Sequence, residues 1–301
     1  MDRRAFLKTA CSSVAAVSAL NFATSAAPLL AASPLDMAAV RGGEPDVMFD
    51  KAMSAFGGMG QFVRKGDKVL IKPNIGWDVE PERGGDTNPK LVGRIVAHCL
   101  QAGAKEVTVF DHTCDPWRHC YQRSGIERAV KDAGGKIVSG DSEGYYQKIA
   151  VPGGKRLRET AAHELFLEAD RIINVPVLKH HGSSQLSIGM KNLMGAVWDR
   201  GYWHRNDLHQ CIADFMSFKA PTLTVVDAYL VMRQNGPRGV SKDDVALMKS
   251  LIVARDFVAA DAAAAKLFGV DPATIPHIQM AAEMGLGKID LTGLNIDRIK
   301  V

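Results

Sequence analysis

The chain lacks the compact signatures by which many enzymes announce themselves. It contains no GxSxG, HExxH, GxGxxG or P-loop, which argues against hydrolase, zincin, dinucleotide-binding and NTPase readings. Its nearest Gly-rich stretches, FGGMG (56–60) and GLG (285–287), do not follow a strand and open a helix as a dinucleotide fingerprint requires. Cysteine is scarce, at five in 301 residues. The spacing of Cys99, Cys114, Cys120 and Cys211 fits no iron–sulfur run, CxxCH haem site or zinc ribbon. Cys114 and Cys120 are close enough in sequence to pair in an oxidising compartment, or to stand as two free thiols.

Excess charge is missing too. The formal net charge is +4, and residues 1–32 hold Arg3, Arg4 and Lys8 against Asp2, a net of +2, so only +2 belongs to the remainder. Aromatics make up 7% and do not interleave with basic residues, so the pattern is not that of a nucleic-acid binder. No segment beyond the N-terminus is long and apolar enough to span a bilayer.

What is present begins with MDRRAFLKTACSSVAAVSALNFATSAAPLLAAS. Two arginines and Phe6-Leu7-Lys8 precede a weakly apolar, Ala/Ser-rich stretch, so residues 1–32 look like a twin-arginine signal peptide. Ser12, Ser13, Ser18, Asn21 and Thr24 make it too polar for a comfortable membrane span. This reading implies a twin-arginine translocase as partner and a periplasmic mature protein.

From residue 33 onward, apolar β-rich runs alternate with helical patterns. KVLIK (68–72), EVTVF (106–110), KIVS (136–139), RIINVPVL (171–178), TLTVVDA (222–228) and SLIVA (250–254) read as strands. Helices are expected from about Pro89 to Ala102 and near 124–133, 159–168, 206–217, 257–268 and 273–284. A short strand pair is expected around 145–157. Thr87 or Asn88 can cap the first helix, and Pro89 suits its first position. The expected fold is a single α/β domain over 33–301: a mostly parallel sheet with helices on both faces, with 183–221 as a candidate inserted cap.

Polar residues follow the apolar runs, and in open α/β sheets ligands bind beyond the carboxyl ends of the strands. If all the strands are parallel, five segments send polar groups to one edge: Lys72-Pro73-Asn74, Asp111-His112, Lys179-His180-His181, Asp227 and Asp256. Lys179, His180 and Lys72 are the candidate catalytic groups, because clustered lysines depress one another's pKa and can act as base or amine nucleophile. Asn74, Lys191, Asn192, Arg200 and His204 are candidate ligand contacts for a small anion. Asp111, His112, Asp227 and Asp256 carry the oxygen and nitrogen donors a divalent metal would need. Adjacent residues on an extended segment point to opposite sides, so at most one of His180 and His181 faces a site on either face.

KVLIKPN, NVPVLKHH, MKNLMG, VVDAYLVM…NGPRG, ARDFVAADAAAAKLFG and MGLGKID together resemble the family called "domain of unknown function 362", in order from about residue 68 to 290. The resemblance implies an α/β fold with a site region near Lys72, Asn74, Lys179, His180, Lys191, Asn192, Asp227 and Asp256; Asp261 belongs to the same pattern. Many members of that family carry a ferredoxin-like cysteine run. This chain has none, so no iron–sulfur cluster is expected. Two functional readings stand at this point: a periplasmic enzyme acting on a small anion, and a non-catalytic ligand-binding, cofactor-assembly or redox accessory protein.

Overall fold

The computed structural model describes residues 34–301; the signal-peptide reading of 1–32 lies outside them. Among these residues are the strands β1 (Met37–Arg41), β2 (Lys68–Pro73), β3 (Glu106–Val109), β4 (Lys136–Ile137), β5 (Tyr146–Ala150), β6 (Glu159–His163), β7 (Arg171–Val175), β8 (Val177–His181), β9 (Gln185–Ser187), β10 (Leu223–Met232), β11 (Val245–Ala254) and β12 (Ile296–Lys300). The main sheet has the order β12-β1-β11-β10-β7-β2-β3-β4, with β8 and β9 branching from β10, while β5 and β6 form a separate antiparallel pair. The sheet is mixed but mostly parallel. Along that order only β11 runs against its neighbours, antiparallel to both β1 and β10.

The central strands are apolar on both faces because both are covered. Val69, Ile71, Val107, Val109, Ile173, Val175, Leu223 and Val225 face one core, packed with the helices Pro45–Phe56, Pro89–Gln101 and Ile126–Asp132. Leu70, Ile172, Val226, Ile252 and Ala254 face the other, packed with Leu208–Met216, Phe257–Phe268 and Pro276–Glu283. The helix Pro89–Gln101 begins as its sequence suggests: Asn88 caps Lys90 N through its side chain, and Pro89 follows directly. Residues 183–221 are not a separate cap. They carry β9 and several helical turns into the second core while also roofing the strand ends.

Two expectations need correction. The helix expected over 159–168 is half strand, since Glu159–His163 pairs with Tyr146–Ala150 and only Glu164–Glu168 is helical. The run RIINVPVL is two strands divided at Pro176, which has no N–H to donate. Its carbonyl accepts from Asp227 N at 2.8 Å, and β8 then continues alongside β10. No helix of the described residues is long and apolar enough to cross a membrane.

Candidate functional site

Beyond the carboxyl ends of β2, β3 and β8 lies a cavity of about 70 Å³, lined by residues that include Asn74, Trp77, Asp111, His112, Lys179, His181, Lys191, Asn192 and Arg200. That space holds a few water molecules or one small anion.

Its floor is a buried ion pair. Lys72 Nζ sits 2.8 Å from Asp111 Oδ1 and donates to Pro73 O at 2.7 Å. Asp111 Oδ2 accepts from Ile75 N at 2.8 Å. Burial pulls the Lys72 pKa down, and Asp111 opposes it. Lys72 is itself fully buried and does not line the cavity, so it acts from beneath. Gly195 closes over this pair: a Cβ there would overlap Asp111 Oδ1 and stand 2.8 Å from Lys72 Nζ.

A chain of carboxamides joins the strands to the roof. Asn174 Nδ2 donates to Gly189 O, Asn192 Nδ2 donates to Lys72 O and to Asn174 Oδ1, and Asn74 Nδ2 donates to Asn192 Oδ1. Asn74 Oδ1 in turn accepts from Lys179 Nζ at 3.2 Å, and that amine also donates to Gly85 O. The short helix Gly189–Asn192, which carries Lys191, is held from behind by Asp261. The Asp261 carboxylate accepts from Gly189 N at 2.7 Å and Met190 N at 3.0 Å.

Cations outnumber carboxylates here. Lys72, Lys179, Lys191 and Arg200 surround the cavity or underlie it, against Asp111 and the nearby Asp86. Burial pulls Lys179 down and pushes Asp86 up, each opposed by the other's charge. Asp86 Oδ1 accepts from Trp77 N, while its Oδ2 is buried without a hydrogen bond. Burial, reinforced by Arg200 and Lys179 and opposed by Cys114 and Asp111, pulls Lys191 to about 8. Its amine meets Met194 Sδ at 3.2 Å, and no carboxylate of the described residues forms an ion pair with it. Arg200 is fixed by the carbonyls of His112 and Thr113 at 2.8 and 2.7 Å.

The two lining histidines have defined tautomers. Burial and then Lys191 lower His181 to about 3, so it is neutral; its Nδ1 accepts from Ser183 N and Ser184 N, which leaves Nε2–H as a donor. His112 is lowered by burial and then by Arg200. Its Nδ1–H donates to Val197 O at 3.0 Å, which leaves Nε2 as an acceptor. The His112 ring stacks on Trp198 at 4.9 Å.

The structure thus brings together Asn74, Asp111, His112, Lys179, Lys191, Asn192 and Arg200 around the cavity, with Lys72 below. It separates the rest. His180 faces away, accepting from Gly236 N; in β8, Lys179 and His181 share a face and His180 takes the other. His204 follows Arg200 by one helical turn and is exposed outside the lining, its pKa lowered by partial desolvation and by Lys191. Asp227 is spent on backbone: it accepts from Asn88 N at 2.7 Å and Tyr229 N at 3.0 Å. Asp256 lies at the opposite edge, because β11 runs antiparallel. There it caps the helix Phe257–Phe268 through Val258 N and Ala259 N and accepts from Lys288 N. The four expected metal donors do not converge, and among the described residues no three His, Cys, Asp or Glu are placed to hold a metal ion. Cys114 and Cys120 do not pair: both are free, the first exposed and the second buried. Residues not singled out from sequence include Trp77, Asp86 and Asn174. The one usable signal was that Asn174 stands inside an otherwise apolar strand.

Residues 69–266 match the family described as "Domain of unknown function (DUF362)". The chain belongs to that family. This DUF362 chain is also 29% identical over 255 residues to a thylakoid-associated protein of Synechocystis sp. (strain ATCC 27184 / PCC 6803 / Kazusa), covering 78% of this chain and 73% of that one. Among solved structures it is similar to the lactate racemase apoprotein from Thermoanaerobacterium thermosaccharolyticum, with TM-score 0.46 and 13% identity. That likeness covers 72% of this chain and 54% of the other. A structural-genomics protein from Thermotoga maritima is similar with TM-score 0.47 and 12% identity, over 80% of this chain and 60% of that one. The chain therefore spans little more than half the length of these two proteins.

Proposed function

We propose that this protein is an exported, periplasmic enzyme that acts on a small anionic substrate held beyond the strand ends. The leader-like residues 1–32 support the export reading, with the twin-arginine translocase as the partner. The observation that carries the binding reading is the surplus of positive charge at the cavity, four cations against two carboxylates, with Lys72 and Lys179 buried, Lys191 and Arg200 partly exposed, and the Lys191 ammonium lacking a carboxylate partner among the described residues. A partly buried charge without a counter-ion is only incompletely hydrated, and a bound carboxylate or phosphate would complete it. Lys191 and Arg200 clamp the anion, and His181 Nε2–H donates to it. Lys179, whose pKa burial lowers and whose neighbour is Asp86, serves as the group that exchanges a proton with substrate.

The test is proton NMR in deuterium oxide on the full chain with phosphate and small carboxylates that bear a C–H beside a carbonyl or hydroxyl-bearing carbon. Binding of one anion per chain, lost in Lys191→Met, supports the site. Exchange of that C–H for deuterium, lost in Lys179→Met while binding persists, supports the enzyme. Binding without exchange favours a non-catalytic ligand-binding or accessory role. No binding by any anion refutes both.

A further inference from the structure

A second concavity, of about 520 Å³, lies on the far side of β10, between the edge of the sheet and the helix Phe257–Phe268. Drug-sized and cofactor-sized ligands occupy cavities of roughly 300–1,000 Å³. Its floor is one face of three paired strands. Register places Met37 beside Ile296 and Ala254, then Ala39 beside Arg298 and Ile252, then Arg41 beside Lys300 and Ser250. The floor is therefore graded: apolar at the first row, mixed at the second and cationic at the third.

The wall reinforces that gradient. The helix Phe257–Phe268 follows β11 directly and contributes Ala263, Lys266 and Leu267 to the lining. Nine residues along the helix is about 13 Å, and the four residues from Ala254 back to Ser250 also span about 13 Å. A helix returning along β11 thus sets Lys266 over the cationic row. Leu291 also lines the groove.

Arg41, Lys266, Arg298 and Lys300 all line the groove, and no acidic residue does. None of the four forms an ion pair among the described residues. Asp290, whose pKa is lowered by Thr292 and also by the charge of Lys266, is a nearby counter-charge but lies outside the lining and accepts from Thr292. Arg41 and Lys300 are register partners on the parallel strands β1 and β12, so two like charges share this end of the groove. An apolar trough with a solvent-exposed cationic end is complementary to one ligand shape: an anionic head on a single apolar tail.

We propose that this groove binds a long-chain carboxylate, with its head between Arg41, Lys300 and Lys266 and its tail over Met37, Ile252, Ile296 and Leu267. The site is separate from the strand-end cavity and does not depend on the function assigned there.

Calorimetric titration of the full chain with decanoate, with acetate and decanol as controls, tests it. One decanoate binds per chain, acetate does not compete, and decanol binds more weakly. The Arg41→Gln/Lys300→Gln pair weakens decanoate by roughly tenfold or more, as expected when charge-assisted contacts are lost. Lys266→Gln, on an exposed helical position, weakens it without touching the edge strands, so a folding defect in the double variant does not remove the test. Lys191→Met leaves decanoate binding unchanged. Equal binding of decanoate to native chain and charge variants overturns the proposal, as does equal binding of decanol. Pairing of two chains through β12 that excludes decanoate would show the face to be an oligomer contact and overturns it as well.

Discussion

Lys72 is buried and Lys191 partly buried at the same sheet edge, and they should respond to substitution in opposite ways. Lys191 has no carboxylate partner among the described residues, so Lys191→Met orphans nothing and replaces an amine beside Met194 with an apolar group of similar length. Its unfolding midpoint should stay within a few degrees of native while anion binding is lost. Lys72 is paired with Asp111 at 2.8 Å, and Lys72→Met leaves a buried carboxylate alone, which costs about 3–5 kcal/mol. Urea unfolding of the two variants side by side checks the contrast; equal destabilisation would mean that Lys191 has a structural partner after all. Asp261 makes a pH prediction. Burial raises it to about 7, although Met190 N and Gly189 N oppose the rise, whereas an unfolded aspartate titrates near 3.9. Folding therefore takes up a proton between those values. The stability this group contributes is complete below about pH 4 and is lost as pH rises through about 7. Asp261→Asn lacks that slope, so the native chain's advantage in melting temperature over the variant should shrink from pH 5 to pH 8. An advantage that grows over that range would show that the folded carboxyl is acidic.

Short elements decide how the site is shaped, and they differ in how readable they were. The alternation of β8 was available from sequence: if Lys179 faces the cavity then His181 does and His180 cannot, so choosing Lys179 and His180 together was inconsistent with the period of a strand. The capped start of Pro89–Gln101 was legible because Asn and Pro act locally. The strand β6 was not, because its sequence ETAAH has no apolar alternation and is strand only through pairing with β5. The turn Leu193–Ala196 was legible only as a motif, and its reason is steric: Gly195 lets the backbone lie against Lys72 and Asp111. Gly195→Ala must push that pair apart or lift the roof. It should cost about 1–3 kcal/mol and weaken anion binding together with stability. An alanine variant with native stability and native affinity would contradict this packing.

At the scale of the whole molecule, the parallel centre of the sheet was readable because strands covered on both faces are continuous apolar runs. The direction of a strand is not written in its composition. SLIVA reads the same in either direction, and the antiparallel course of β11 removed Asp256 from the site and made it a helix cap at the other edge. Strands β1 and β12, which frame the cationic groove, were missed because they are short and each face of β12 mixes an isoleucine with charged residues, so no apolar alternation marks it. Asn74, Asp111, His112 and Lys179 could be grouped from sequence because each follows an apolar run, whereas Lys191, Asn192 and Arg200 were singled out only separately as candidate anion contacts; the structure sets all seven around one cavity. Their partners Asp86 and Asn174 were not singled out, because nothing local marks a buried counter-charge.

If the surplus positive charge beyond the strand ends holds an anion, as proposed, binding should depend on the charge of Lys191. The most direct measurement is calorimetric titration of the native chain with the tightest small anion, phosphate or carboxylate, at pH 7 and again above pH 9. Lys191 titrates near 8, so its ammonium is present at the lower pH and lost at the higher. One anion should bind per chain at pH 7, with affinity falling by roughly tenfold or more at the higher pH, as expected for losing a charge-assisted contact. Affinity that is unchanged across that range, or equal in Lys191→Met, would contradict the account.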